Sequence, residues 1–285
     1  MSESVLLGAA QIRELAAQLD IKPTKKLGQN FVIDPNTVSR IANEAKLNSE
    51  DLVLEVGPGL GSLTLALLPK VKKVLAVEVD QRLANQLPTT VEKFAPELSE
   101  RLVVVNEDAM RLTSLPEQPT KLVANLPYNI SVPVVLHLLE TFESINEVLV
   151  MVQLEVAQRM AATPGSKIYG VPSVKIAWFG KAQLAGNVGR NVFWPAPNVD
   201  SGLVRITRTP ERGSIGLREK LFQVVDAAFG QRRKTLRSSL SSVFGSSAKV
   251  DQALAMAQVD SSLRGEQLEL ADFLRIAKVA GEFNE

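Results

Sequence analysis

Between residues 52 and 162 the chain repeats one pattern, and that pattern restricts the fold more than any other feature. Short apolar runs at 52–56, 74–77, 102–105, 121–124 and 147–152 alternate with segments of helical period at 62–68, 81–94, 133–141 and 154–162. The runs are too continuous in apolar character to present one face to water, so they predict strands buried on both faces. Strands separated by helices of this length form βαβ units, and a series of such units builds a parallel sheet covered by helices on both sides. The expected class is α/β. Upstream, 5–19 carries apolar residues at helical spacing. Residues 35–46 begin with proline at a first-turn position and predict a second helix. After 163 the pattern predicts strands at 173–179, 181–186 and 202–207. Residues 209–214 (TPERGS) carry a linker signal, and 216–229, 233–243, 248–257 and 266–280 read as helices. The expected division is an α/β domain over 1–208, with an N-terminal helical extension at 1–48, and a small all-helical domain over 209–285.

Composition then narrows the chemistry. Of 285 residues none is cysteine and one, His137, is histidine. This excludes disulfides, thiolate metal sites and thiol nucleophiles, and no metal site is expected. His137 lies on the helix after 125 and reads as a satisfied core or surface residue. Catalysis would have to run on carboxylates, amides, hydroxyls, aromatics or a bound cofactor. No apolar run approaches the ~18 residues of a membrane span. No basic residue precedes an apolar core at the N-terminus, so no signal peptide is read and the cytoplasm is expected. Net charge is +1. Residues 201–240, however, hold nine Lys/Arg against three acids, and 241–285 hold four against seven. A basic segment in a near-neutral chain is either a nucleic-acid footprint or a solvated helix face.

The loop Glu55-Val56-Gly57-Pro58-Gly59-Leu60-Gly61 joins the first strand of the series to its helix. Its glycines let the backbone turn tightly and approach a ligand. The spacing is G-x-G-x-G and not the G-x-G-x-x-G of a dinucleotide site. Glu78 ends the second strand, 17 residues past Gly61, where an acid accepts hydrogen bonds from ribose hydroxyls. Asp108 follows the third strand at the same sheet edge. A glycine loop with two such acids suits an adenosine ligand without phosphate, such as S-adenosylmethionine. The bland alternative is turn punctuation and solvated strand ends.

Asn125-Leu126-Pro127-Tyr128 directly follows the fourth strand. An exocyclic adenine amine is a poor nucleophile because its lone pair is delocalised into the ring. The Asn125 side-chain oxygen and the Leu126 carbonyl are placed to accept its hydrogens, which favours a pyramidal nitrogen aimed at a methyl donor. Pro127 biases Leu126 to an extended backbone, and Tyr128 offers a stacking face. A plain turn closing the strand is the alternative.

Further landmarks are Lys26-Leu27-Gly28-Gln29-Asn30-Phe31, Glu107-Asp108-Ala109, the segment Phe193-Trp194-Pro195-Ala196-Pro197-Asn198-Val199-Asp200-Ser201, and Gln231-Arg232-Arg233-Lys234-Thr235. With these in one order, the chain resembles the KsgA/RsmA family of small-subunit ribosomal RNA adenine dimethyltransferases, relatives of the Erm methyltransferases, over nearly its whole length. The resemblance implies a Rossmann-like class I S-adenosylmethionine methyltransferase sheet with a small C-terminal all-helical domain. It implies that Asn30 and Val32 close the methionine end of the cofactor, against Gly57. Many family members have leucine where this chain has Val32, a change that a backbone contact survives. Glu78 would take the ribose, Asp108 the adenine amine, and Asn125 would sit between cofactor and target base. The wider cofactor site takes in Gln29, Gly59, Gly61, Val79 and Ala109. Phe193 would form the second face of an aromatic sandwich opposite Tyr128, where the residues alone allow core packing instead. Lys25, Lys26, Arg232, Arg233, Lys234 and Arg237 would contact RNA. Gln231–Lys234 reads as opening a basic helix with 233 and 237 on one face, and pairing with acids such as Asp226 is the alternative.

The implied reaction is N6,N6-dimethylation of two adjacent adenosines in the 3′-terminal hairpin loop of 16S rRNA within an immature 30S subunit, by a monomer. An Erm-like enzyme acting on large-subunit rRNA, a DNA adenine methyltransferase and a non-catalytic ribosome-assembly factor are the alternatives.

Overall fold

The computed structural model describes residues 5–21 and 30–282. The helical extension comprises α1 (Ala9–Gln18) and α2 (Pro35–Glu44), with the short strand β1 (Phe31–Val32) between them. Asp34 starts α2: its carboxylate accepts the Thr37 amide at 2.9 Å, and Pro35 supplies a preset first turn. The repeating region follows as β2 (Leu52–Val56), α3 (Ser62–Leu67), β3 (Lys73–Val77), α4 (Gln81–Phe94) and β4 (Leu102–Val105). It continues with β5 (Lys121–Asn125), α5 (Ser131–Thr141), β6 (Glu147–Gln153) and α6 (Leu154–Met160). Then come α7 (Val171–Phe179), β7 (Gly180–Val188), β8 (Phe193–Trp194) and β9 (Ser201–Arg208). The chain ends in α8 (Ile215–Gly230), α9 (Leu236–Ser239), α10 (Ser241–Phe244), α11 (Ser247–Met256) and α12 (Leu270–Glu282).

Seven strands form one sheet in the order β4-β3-β2-β5-β6-β9-β7. β2 to β6 are parallel, and β9 runs antiparallel beside β6 with Ser201 opposite Gln153. Val53, Leu54, Val74 and Leu75 are fully buried, which is why these strands read as continuous apolar runs. The strand order reverses between β2 and β5, and ligands of open α/β sheets bind outside the carboxyl ends at such a point. The glycine loop leaves β2 there, and Asn125 ends β5 there.

Two elements differ from expectation. Residues 173–179 form the helix α7 and not a strand. Gly170 caps it, Pro172 lies in its first turn, and Val174, Ile176, Trp178 and Phe179 are buried. A helix buried around its circumference has no amphipathic period, so hydrophobicity alone leaves its type open. Residues 231–234 form a turn between α8 and α9 rather than the start of a helix, and the helix expected over 233–243 is two single turns.

The chain divides into two compact units. The first comprises the described residues through Ala157 together with Gln183–Arg208, and the second Gln158–Ala182 together with those from Thr209 onward. Residues 158–182 therefore group with the C-terminal helices. Within that unit Phe179 meets Phe222 edge-on at 6.3 Å, and the Tyr169 hydroxyl donates to the Leu268 carbonyl at 3.0 Å. Lys175 pairs with Asp226 at 2.8 Å. Such long-range grouping leaves no mark at the point where the chain enters the segment. Among the described residues no helix is long and apolar enough to cross a membrane, and no cluster of three or more His, Asp or Glu could hold a metal.

Candidate active site

A cavity opens at the carboxyl edge of the first unit's sheet. Its wall contains Asn30, Val32, Gly57, Gly59, Glu78, Val79, Asp108, Ala109 and Asn125–Tyr128, which the sequence singled out, together with Glu55 and Glu107. Gln29, Lys25 and Lys26 lie outside the described residues.

The glycine loop fits closely into this wall. Gly57 and Gly59 have φ of 68° and 58°, values that side chains other than glycine rarely adopt. A Cβ on Gly59 would meet the Phe31 ring at 2.9 Å. Gly61 serves differently from expectation. It is not in the cavity wall, and a Cβ there would meet Leu87 at 2.9 Å, so it allows close packing of α3 on α4.

Glu78 is 5% exposed, and both carboxylate oxygens accept backbone N–H groups: Oε2 from Gly59 at 3.2 Å and Oε1 from Asp80 at 3.0 Å. Burial raises its pKa, opposed by these two bonds. The carboxylate is thereby held at the end of β3 with acceptor capacity left on each oxygen. Asp108 is ordered by its own loop, Oδ1 accepting the Met110 amide at 2.9 Å. Sequence reasoning missed Glu55 as a site residue. It is 1% exposed in the cavity wall, and Thr64 donates to its Oε2 at 2.7 Å. Burial pushes its carboxyl up to about 8, with nearby Glu78 adding to the rise. The signal was present, since Glu55 is the lone acid inside an apolar strand.

Among the described residues the wall carries four acids, Glu55, Glu78, Glu107 and Asp108, and no Lys, Arg or His. Such a wall repels phosphate and suits a neutral or cationic ligand. It therefore fits S-adenosylmethionine, whose ribose diol matches Glu78 and whose sulfonium carries positive charge.

The turn after β5 completes the wall. Asn125 Nδ2 donates to the Asn30 carbonyl at 3.2 Å, which orients the amide and leaves its oxygen as the acceptor. Leu126 is buried, its N–H bonded to the Met151 carbonyl at 3.1 Å. A Cβ on Gly57 would lie 4.0 Å from both the Asn125 carbonyl and Pro127 Cδ, so the glycine loop and this turn face each other closely. The Tyr128 hydroxyl shares a 2.7 Å hydrogen bond with Ser201, and burial raises its pKa, so it stays a neutral phenol.

The family model for ribosomal RNA adenine dimethylases matches residues 21–282. The chain belongs to the ribosomal RNA adenine dimethylase family. It is 59% identical to the ribosomal RNA small subunit methyltransferase A of Thermobifida fusca, over 97% of each chain. It is 57% identical to that of Corynebacterium efficiens, over 98% of each. Among solved structures it is similar to a dimethyladenosine transferase from Plasmodium falciparum, with TM-score 0.73 and 24% identity over 88% of this chain and 97% of that one. It is also similar to the 23S rRNA methyltransferase ErmE, with TM-score 0.65 and 27% identity over 88% of this chain and all of that one. The architecture is the class I methyltransferase α/β sheet with a C-terminal helical region.

Of the residues that the family resemblance pointed to, Phe193 departs from its expected position. It is 3% exposed within the hydrophobic core, its strand β8 paired with β1, and it does not line the cavity. The core-packing alternative describes its place in this structure. In the second unit Arg232 pairs with Glu266 at 3.1 Å and Arg237 with Asp251 at 2.9 Å. Arg233 and Lys234 are exposed on the turn and make no ion pair among the described residues. Arg233 and Arg237 do not share a helix. His137 Nε2 bonds the Leu112 carbonyl at 2.9 Å, as expected of a structural histidine.

Proposed function

We propose that this ribosomal RNA adenine dimethylase uses S-adenosylmethionine to dimethylate N6 of two adjacent adenosines in the 3′-terminal hairpin loop of 16S rRNA, acting as a cytoplasmic monomer on an immature 30S subunit. The observation that carries the reading is the Asn125 amide, oriented by Asn30 in the wall of an acid-lined cavity. Glu78 would hold the ribose, Asp108 the adenine amine, and Asn30, Val32 and Gly57 the methionine end. When bound, S-adenosylmethionine supplies a methyl group on a good leaving group, so no strong base is required of the protein. The Asn125 oxygen and the Leu126 carbonyl accept the two amine hydrogens of the target base, turning the nitrogen lone pair out of conjugation. Tyr128 stacks on the base and holds it after it leaves its helix. Positioning and hydrogen bonding supply the rate. The relatives at 59% and 57% identity are named small-subunit enzymes, which supports that substrate over the one named for ErmE. The complete set of acids and the Asn125–Tyr128 turn speak against a purely non-catalytic assembly factor.

Incubation with labelled S-adenosylmethionine and unmethylated 30S subunits, followed by nucleoside mass spectrometry, is expected to yield N6,N6-dimethyladenosine. Folded protein that yields none overturns the proposal. Among the described cations that the sequence singled out, Arg233 and Lys234 are exposed and make no ion pair, which suits phosphate contact. R233E is expected to weaken 30S binding and to lower the slope of log affinity against log salt by roughly one or more. Unchanged binding at every salt concentration removes this turn from the RNA surface.

A further inference from the structure

The turn that carries Tyr128 belongs to no strand or helix, yet the far end of its side chain is anchored. Its hydroxyl lies 2.7 Å from Ser201 Oγ, 73 residues away in sequence. Ser201 is 0% exposed and opens β9, a strand otherwise buried and apolar at its start. Its backbone is fixed by pairing with Gln153 of β6, and the neighbouring Asp200 carbonyl accepts the Leu154 amide at 2.9 Å. A tyrosine held only at Cβ swings about two side-chain torsions. Held at both ends, the side chain keeps the direction of its long axis, because a change of the first torsion would carry the hydroxyl away from Ser201. Tyr128 lines the cavity whose wall also contains Asn125.

We propose that Ser201 is a positioning residue for methyl transfer: its hydroxyl pins the long axis of the Tyr128 side chain, and so the place of its ring, where the target base stacks beside Asn125. The proposal rests on the assignment of Tyr128 as the stacking face. The second transfer makes the larger demand on this device. A base already bearing one methyl has a single amine hydrogen left to bond, so the stacking plate carries more of its orientation. Loosening the plate therefore releases monomethylated product.

The test compares S201A, Y128F, the double variant and Y128A on 30S subunits. S201A and Y128F are each expected to lower kcat about tenfold with the KM for S-adenosylmethionine unchanged, since small misplacements at a reacting centre are costly. Both are expected to raise the share of N6-monomethyladenosine. The double variant is expected to lose no more than about twofold beyond either single one, because both remove the same bond. Wild-type turnover and product ratio in S201A and Y128F, with Y128A inactive, overturn the Ser201 role and leave the stacking role standing. Y128A that turns over like wild type overturns the stacking role itself. Losses in S201A and Y128F that multiply in the double variant show independent effects and also overturn the proposal. Should S201A fail to fold, Y128F, which removes only the phenolic oxygen, decides between these outcomes through its kcat, KM and product ratio.

Discussion

Asn125→Ala is expected to lower methyl transfer by about 10²–10³-fold, the scale seen when one preorganised hydrogen-bonding group is removed from a reacting centre. S-adenosylmethionine binding should weaken only a few-fold, because Glu78, Asp108 and the glycine loop remain. The asymmetry follows from geometry. The Asn125 amide nitrogen is already engaged by the Asn30 carbonyl, so its oxygen is the group presented to a substrate. In the ground state that oxygen contributes one hydrogen bond among several. In the transition state of the proposed reaction it acts on the nitrogen lone pair that must leave conjugation. Single-turnover rates and equilibrium binding of the cofactor, measured on the same preparation, separate the two effects. Unchanged turnover removes Asn125 from its role.

Glu55→Gln is expected to stabilise the protein increasingly as pH rises. The carboxyl has a pKa of about 8 in the folded chain against an ordinary value of 4.5. Between those values the folded state binds more protons than the unfolded state, so stability falls as pH increases. Below about 4.5 both states are protonated and the carboxyl exacts no penalty. Above about 8 both are ionised, and the full cost of a buried charge is present. Glutamine keeps the shape and the acceptor for Thr64 without the ionisation. Thermal unfolding of E55Q and wild type should therefore coincide near pH 4 and separate by at least about 5 °C near pH 9. A difference independent of pH would show that Glu55 does not titrate in this range.

The parts of the site that sit at the ends of strands were the legible ones. Glu78, Asp108 and Asn125 each end or follow a parallel strand, and strands of one parallel sheet end on one edge. Recognising the strands was enough to bring the three together. Glu55 was visible as an acid in an apolar strand, but its significance depends on complete burial beside Glu78. The expectation for Gly61 came from a loop whose earlier residues line the wall, and that for Phe193 came from the family resemblance. Their places are set instead by Leu87 of α4 and by the pairing of β8 with β1. Neither partner is near in sequence.

The repeating apolar runs determined the α/β class and the edge that bears the site, and the chemistry of Asn125–Tyr128 pointed to an exocyclic amine as the group to be methylated. These follow from local periodicity and from the fixed direction of parallel strands. Tertiary structure alone decided that residues 158–182 join the C-terminal helices, that Phe193 is core, that Arg233 and Lys234 stand on a turn, and that Ser201 holds Tyr128. Each of these depends on contacts between segments far apart in the chain, where burial and pairing override what neighbouring residues prefer.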